Sequence, residues 1–202
     1  MDEFYTYACN LIKNNKLKQV VEINSDSGLD FAFEASKYCN RYYSLHFEKD
    51  FKFMQDKLKS KPIKNIEILA GNPFLLPEIM QQKGCKPDLL ILNEAYFSES
   101  WNDTNLFWKY FHCIDHLSGI HKLSDPEIEN IPNLIEQNDE LAYRRFLKLI
   151  NPGYILRFDS RNRSDSVLNL FLNRLKIPPA KIESHEFKHN GNPWEAYLVH
   201  NY

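Results

Sequence analysis

The chain has 202 residues, 43% hydrophobic and 26% charged. This length favours one domain that buries roughly 70% of its unfolded surface, and the balance excludes a disordered chain, a collagen-like chain and a coiled coil. The net charge of −2 lacks the basic character of a duplex nucleic-acid binder, so no clear nucleic-acid surface is expected. Glycine is scarce: there are six, where average usage gives about fourteen. At this level the scarcity counts against a fold that cradles phosphates in a glycine-rich loop. Cys9, Cys39, Cys85 and Cys113 are scattered without a C-x-x-C pair, as expected of reduced thiols in a cytoplasmic protein. The first sixteen residues place acids ahead of their apolar positions and lack a long apolar core, unlike a secretory signal. No window reaches the 18 or so apolar residues of a membrane helix, so no membrane partner is expected.

Phe4, Ala8, Leu11 and Ile12 recur at helical spacing and predict an amphipathic helix over 2–16. Gln19–Ile23 (QVVEI) is a β-branched run and predicts a strand. A helix over 28–40 follows, with Leu29, Phe31, Ala32, Ala35 and Tyr38 toward the core. Arg41–Phe47 reads as a second strand, and residues 50–60 as a helix with Phe51, Met54 and Leu58 at helical spacing. Ile66–Leu69 is a third strand. Pro77–Lys83 makes one or two helical turns closed by Gly84. Asp88–Leu92 (DLLIL) is a continuous apolar run after its opening aspartate, as in a strand covered on both faces.

Residues 97–140 contain no clear strand. Leu106–Leu117 reads as helical, and 124–139 as a polar, proline-broken excursion. Leu141–Ile150 reads as a helix that stops at Asn151-Pro152-Gly153, and Tyr154–Phe158 as a fifth strand. Val167–Leu175 is a helix ended by Pro178-Pro179. Lys181–Lys188 and Trp194–Asn201 are extended runs on either side of Asn190-Gly191, a hairpin signal. Alternating strands and helices with a closing hairpin predict an α/β fold. The expected architecture is a three-layer α-β-α sandwich with a mostly parallel seven-stranded sheet and an antiparallel C-terminal hairpin strand. We expect a single domain over 1–202, with 97–140 a lid or substrate insert.

In such sheets ligands bind beyond the carboxyl ends of the strands, near the switch in strand order. After the first strand comes Glu22-Ile23-Asn24-Ser25-Asp26-Ser27-Gly28. Small polar residues there allow a sharp turn and offer N–H groups to a polar ligand, although an ordinary N-cap uses the same residues. Glu48 follows the second strand, 20 residues past Gly28. A carboxylate at that spacing can accept from both vicinal hydroxyls of a ribose. After the third strand, Gly71-Asn72-Pro73-Phe74 supplies an amide for a base edge and a ring for its face, or a plain turn.

These residues resemble the class I, Rossmann-like S-adenosylmethionine-dependent methyltransferases. VVEINSDSG is similar to the family's V-x-E-x-G-x-G-x-G loop: Glu22 and Gly28 match, while Asn24 and Asp26 stand where the first two glycines are expected. Phe47-Glu48 is similar to the family's ribose-binding strand end. Residues 70–77 resemble its G-D-A-x-x-L-P segment beside the adenine, with Asn72 in place of Asp. Asp88–Asn93 looks like the fourth-strand motif, and residues 147–156 resemble the L-K-P-G-G-x-L turn into the fifth strand. The resemblance spans roughly 19–95 and 141–202. It implies S-adenosylmethionine as cofactor, held by Glu22, Asn24, Ser25, Asp26, Ser27, Gly28, Glu48, Gly71, Asn72, Pro73 and Phe74.

Asn93 and Tyr96 sit where nitrogen-directed members carry the ends of N-P-P-Y, with Glu94 and Ala95 replacing the prolines. Asn93, Glu94 and Tyr96 are therefore the candidate catalytic residues, Glu94 as a general base, and a small-molecule acceptor is favoured. Because the sulfonium already activates the methyl group, few dedicated side chains are required; alignment alone supplies roughly 7–11 kcal/mol. His112, Asp115, His116 and His121 lack a fixed third ligand position, so no metal is expected. Arg157, Arg161 and Arg163 follow the fifth strand and can meet an anion or solvent. The aromatic cluster Trp101, Phe107, Trp108, Tyr110 and Phe111 reads as core or lid packing. Two alternatives stand beside the enzyme. The missing glycines suit a methyltransferase-like domain that binds or scaffolds without catalysis. A nicotinamide oxidoreductase would need G-x-G-x-x-G, and only Gly28 is present. The motifs specify neither the methyl acceptor nor an oligomeric state.

Overall fold

The computed structural model describes residues 3–23, 29–46, 48–70, 76–93, 148–160, 181–189 and 192–200. In chain order these are α1 (Glu3–Asn14), β1 (Gln19–Ile23), α2 (Asp30–Ala35) with a 3₁₀ turn at Ser36–Tyr38, β2 (Arg41–His46) and α3 (Glu48–Lys59). They continue with β3 (Ile66–Ala70), α4 (Leu76–Gln82), β4 (Leu89–Asn93), β5 (Tyr154–Ser160), β6 (Ile182–His189) and β7 (Asn192–His200). The strands form one seven-stranded sheet in the order β3-β2-β1-β4-β5-β7-β6. β1 to β5 pair in parallel, and β7 runs antiparallel to both β5 and β6. The α/β architecture expected from the sequence is present, and the hairpin adds its last strand inside the edge rather than at it.

The sheet's two faces bury separate apolar sets. Val20, Tyr42, Ile68, Leu89, Ile91 and Leu156 lie under α1, α2 and α3. Val21, Ile23, Tyr43, Leu45, Leu90, Leu92 and Ile155 lie under α4 and Ile150. β4 contributes to both, which explains its unbroken apolar run. The four apolar positions predicted to face inward on α1 are buried. Tyr38 is a correction: it is exposed, its ring beneath Lys13 and its hydroxyl toward Glu34, because the chain tightens into the 3₁₀ turn before reaching it. The helices predicted over 106–117 and 167–175 and the insert at 97–140 lie outside the described residues. So does the predicted helix over 141–150, apart from the helical residues 148–150.

Helix ends follow backbone rules. Gly84 takes φ +59° after α4, and the Cys85 N–H reaches back to the Met80 carbonyl at 2.9 Å, the long bond of a left-handed C-cap. Lys16 makes the same arrangement after α1, with φ 52° and Leu17 N–H to the Ile12 carbonyl at 3.0 Å. A side chain in that region is strained, so Lys16→Gly is expected to stabilise the chain by about 0.5–1 kcal/mol in urea unfolding.

Asp88 lies one residue before β4 rather than within it, and its carboxylate is a clamp. Oδ2 accepts from the Lys18 and Gln19 N–H groups at 2.7 and 2.9 Å, while the Asp88 N–H donates to the Gln19 carbonyl at 2.8 Å. The Tyr154 N–H donates to the Asp88 carbonyl at 2.8 Å, so one residue ties the amino ends of β1, β4 and β5. Asp88→Ala strands two backbone donors and is expected to cost about 1–3 kcal/mol in the same assay.

The hairpin is tighter than the sequence suggested. His189 pairs with Asn192, leaving only residues 190 and 191 between the strands. Pro193 pairs with Lys188, but β5 ends at Ser160 opposite Trp194, so Pro193 has a strand on one side only. A residue without an N–H is tolerated there. α1 docks on this end of the sheet through Phe4 against Phe187 and Tyr7 against His185.

Candidate functional site at the carboxyl ends of the strands

The chain runs β1 to β3 in one direction across the sheet and then returns to place β4 on the other side of β1. The switch in strand order therefore falls between β1 and β4, the position beyond whose carboxyl ends ligands of doubly wound sheets bind. Glu22 sits in β1 one residue before its end, paired with Ser44 on β2 and Ile91 on β4. Asn93 is the last residue of β4, paired with Phe158 and one step past the last β1 partner, Leu92. Glu48 is the first residue of α3, two positions past the end of β2. Thus Glu22, Glu48 and Asn93 occupy the carboxyl-terminal edge of three neighbouring strands. Asn24, Ser25, Asp26, Ser27, Gly28, Gly71, Asn72, Pro73, Phe74, Glu94 and Tyr96 lie outside the described residues.

Arg157 is a correction. It lies inside β5, opposite Leu92 and Tyr197, and does not follow the strand, because β5 extends to Ser160. Arg161, Arg163, the four-residue His112–His121 set and the aromatic cluster around Trp108 lie outside the described residues. Among the described residues no group of histidine, cysteine and acidic side chains could hold a metal.

Sequence reasoning missed a row of buried polar groups on the face under α1 to α3. The Tyr42 hydroxyl donates to Glu22 Oε2 at 2.8 Å, and Ser44 Oγ lies 3.2 Å from the same oxygen. Ser44 Oγ is 2.9 Å from His46 Nε2. Glu22, Tyr42, Ser44 and His46 are all buried. The signal was present: in RYYSLH the polar positions 42, 44 and 46 alternate with Tyr43 and Leu45, so a central strand must carry polar groups on one covered face.

Burial dominates the electrostatics of this row. It pushes the Glu22 carboxyl up to about 8, against the opposing pull of the Tyr42 and Ser44 hydroxyls. It pushes His46 down to about 4, against a weaker upward pull from Asp50. Tyr42 is raised well above its ordinary value by burial and by Glu22. Both shifts favour the uncharged forms of Glu22 and His46. Among the described residues Glu22 has hydroxyl partners and no cationic one. A groove of about 450 Å³ lined by Pro77, Met80, Cys85, Leu149 and Ile150 lies toward the opposite, amino-terminal ends of β4 and β5, away from this row.

No protein-family model and no curated protein sequence matches the chain. Solved structures do. The chain is similar to the N-methyltransferase NodS from Bradyrhizobium japonicum WM9, at 12% identity and TM-score 0.56, covering 98% of this chain and 94% of that one. It is similar to an rRNA methylase from Streptococcus thermophilus, at 10% identity and TM-score 0.53, covering 98% and 95%. It also matches the METTL16 methyltransferase domain, at 12% identity and TM-score 0.61, covering 98% and 66%. The fold is that of the Rossmann-like methyltransferases. Within this fold, the carboxyl ends of β1 and β4 flank the topological switch point. NodS is also known in complex with S-adenosyl-L-homocysteine.

Proposed function

We propose that the chain is an S-adenosylmethionine-dependent methyltransferase with a small-molecule acceptor. The observation that carries this reading is the position of two acids in the methyltransferase strand order. Glu22 lies one residue before the end of β1 beside the switch point, and Glu48 opens α3 two positions past the end of β2. The buried Glu22 carboxyl, with hydroxyl partners but no cationic one among the described residues, suits a cationic ligand. When bound, the cofactor supplies a methyl group already activated by its sulfonium.

The remaining roles belong to this chain's residues. Asn24, Ser25, Asp26, Ser27 and Gly28, with Glu22, hold the amino-acid end. Glu48 accepts from the ribose hydroxyls. Gly71, Asn72, Pro73 and Phe74 bracket the adenine. Asn93, Glu94 and Tyr96 orient the acceptor, with Glu94 positioned to take its proton. Residues 97–140, in the connection between β4 and β5, form the lid that excludes water. The net charge of −2 supports a small acceptor over a nucleic acid, and among the described residues no helix is long and apolar enough to cross a membrane.

Calorimetry with S-adenosylmethionine and S-adenosylhomocysteine tests the reading. A saturable heat with each is expected, and none with either ligand overturns it. The substitution of Asn24 and Asp26 for two loop glycines favours a second reading, a non-catalytic binding module. Tight binding without methyl transfer to any of a panel of amines, alcohols and thiols would select that one.

A further inference from the structure

The amino-terminal end of the sheet, opposite the proposed cofactor site, gathers cations. Four segments meet there: 13–18 at the end of α1, 37–41 leading into β2, 59–64 between α3 and β3, and 83–88 between α4 and β4. They hold ten of the chain's 25 lysines and arginines and one of its 27 acids. The net charge of −2 conceals this separation, because the rest of the chain is acidic as a group. The single acid, Asp88, has Oδ2 taken up by the Lys18 and Gln19 N–H groups.

Backbone hydrogen bonds hold these segments side by side. The Asn40 and Arg41 N–H groups donate to the Lys18 carbonyl at 2.8 and 3.0 Å, the Tyr42 N–H to the Asn65 carbonyl at 2.8 Å, and the Asp88 N–H to the Gln19 carbonyl at 2.8 Å. Lys64, Arg41, Lys18 and Lys86 therefore stand at the starts of four adjacent strands, a row about 14 Å wide at the usual strand spacing. All four are exposed, as is Lys16, whose φ of 52° would strain a glycine less. Lys37, Lys59 and Lys83 pair with Glu34, Asp56 and Glu67. Among the described residues no acid forms an ion pair with Lys16, Lys18, Arg41, Lys64 or Lys86. Two further cations lie over rings: Lys13 Nζ is 5.8 Å from the centre of Tyr38, and Lys61 Nζ 5.9 Å from that of Phe33.

Nine of the ten cations are lysines, point charges that suit separate phosphates better than the bidentate grip on a carboxylate that arginine provides. An exposed ring beside them suits the face of a base. An anionic membrane would call instead for apolar side chains standing out from the basic surface, and in these segments Tyr38 is the only large exposed hydrophobic residue. We propose that this end of the sheet binds single-stranded nucleic acid through its phosphates, without reading its sequence. It lies about 17 Å from the carboxyl ends, the length of the five-residue β1. The surface thus docks a strand without presenting it as methyl acceptor, and the inference is independent of the cofactor reading. With five phosphates contacted by Lys16, Lys18, Arg41, Lys64 and Lys86, log affinity falls against log salt with a slope of about −3.5.

Fluorescence anisotropy of a labelled oligouridylate of about twelve residues, measured with the whole chain, tests this. Raising salt from about 50 to about 200 mM is expected to weaken binding about a hundredfold. Lys18→Gln combined with Lys64→Gln removes two contacts and should reduce that loss to about twentyfold. Lys52→Gln combined with Lys188→Gln removes the same charge elsewhere and should leave the loss unchanged. Should the first pair fail to fold, Lys16→Gln combined with Lys86→Gln takes its place. Tyr38→Leu is expected to weaken binding about fivefold or more, with the salt dependence unchanged. No binding at about 50 mM salt, or the same salt dependence in both double variants, overturns the proposal. So does an unaltered affinity in Tyr38→Leu, or binding to phosphatidylserine vesicles that the oligonucleotide does not displace.

Discussion

Between pH 6.5 and 8 the wild-type chain is expected to lose about 2 kcal/mol of stability that Glu22→Gln does not lose. The sign follows from linkage. The Glu22 carboxyl is raised from 4.5 in the unfolded chain to about 8 in the fold, so the folded state holds the extra proton between those limits. Its contribution is complete below pH 4.5 and is lost as pH climbs through 8. His46 works in the opposite sense: lowered from 6.5 to about 4, it makes the fold resist protonation, and stability falls as pH drops through that window. From pH 4.5 to 6.5 the two slopes oppose one another and the profile is flat. Above 6.5 only Glu22 remains, at about 1.4 kcal/mol per pH unit. Urea unfolding at constant ionic strength across pH 5 to 8.5 measures this directly. Parallel curves for wild type and Glu22→Gln would show that the carboxyl is already ionised in the fold.

Gly153→Val is expected to cost about 2–3 kcal/mol, read as a lower urea midpoint with an unchanged slope. A Cβ at this position would lie 3.0 Å from the Asp88 carbonyl oxygen, a backbone atom that cannot swing aside. That carbonyl accepts from the Tyr154 N–H, and the Asp88 side chain clamps the start of β1. The intruding side chain therefore loosens the β4–β5 pairing and the clamp together. Gly153→Ala should follow in the same direction with a smaller shift. An unchanged midpoint for the valine variant would mean that the segment before β5 yields easily.

Gly153 also shows why the fold could be read from one sequence. Strand-end glycines, β-branched runs and helical periodicity are local signals, and each marks an element boundary. β1 was legible to the residue because QVVEI is bounded by lysines and small polar residues. β3 and β5 run past their expected ends because pairing partners, not their own residues, decide where a strand stops: Ala70 lies opposite His46, and Ser160 belongs to β5 because Trp194 lies opposite. The strand order was legible only as a class, since β7 enters between β5 and β6 through contacts remote in sequence. For the site, Glu48 stood out by its spacing from Gly28 and Glu22 by its place in the VVEINSDSG loop. Tyr42, Ser44 and His46 did not, because a hydroxyl or an imidazole in a strand looks like surface until the covering helices are known.

The position of β7 bears on how the protein is made. β1 to β4 contain their own partners and can assemble as they leave the ribosome. β6 cannot, for β7 lies between it and the rest of the sheet. During synthesis β5 presents an unpaired edge, and β6 waits as an orphan, until the strand that joins them emerges. The nascent chain is thus most open to misassociation in the interval before β7 emerges, and an Asn-Gly link of two residues is what makes that closure fast.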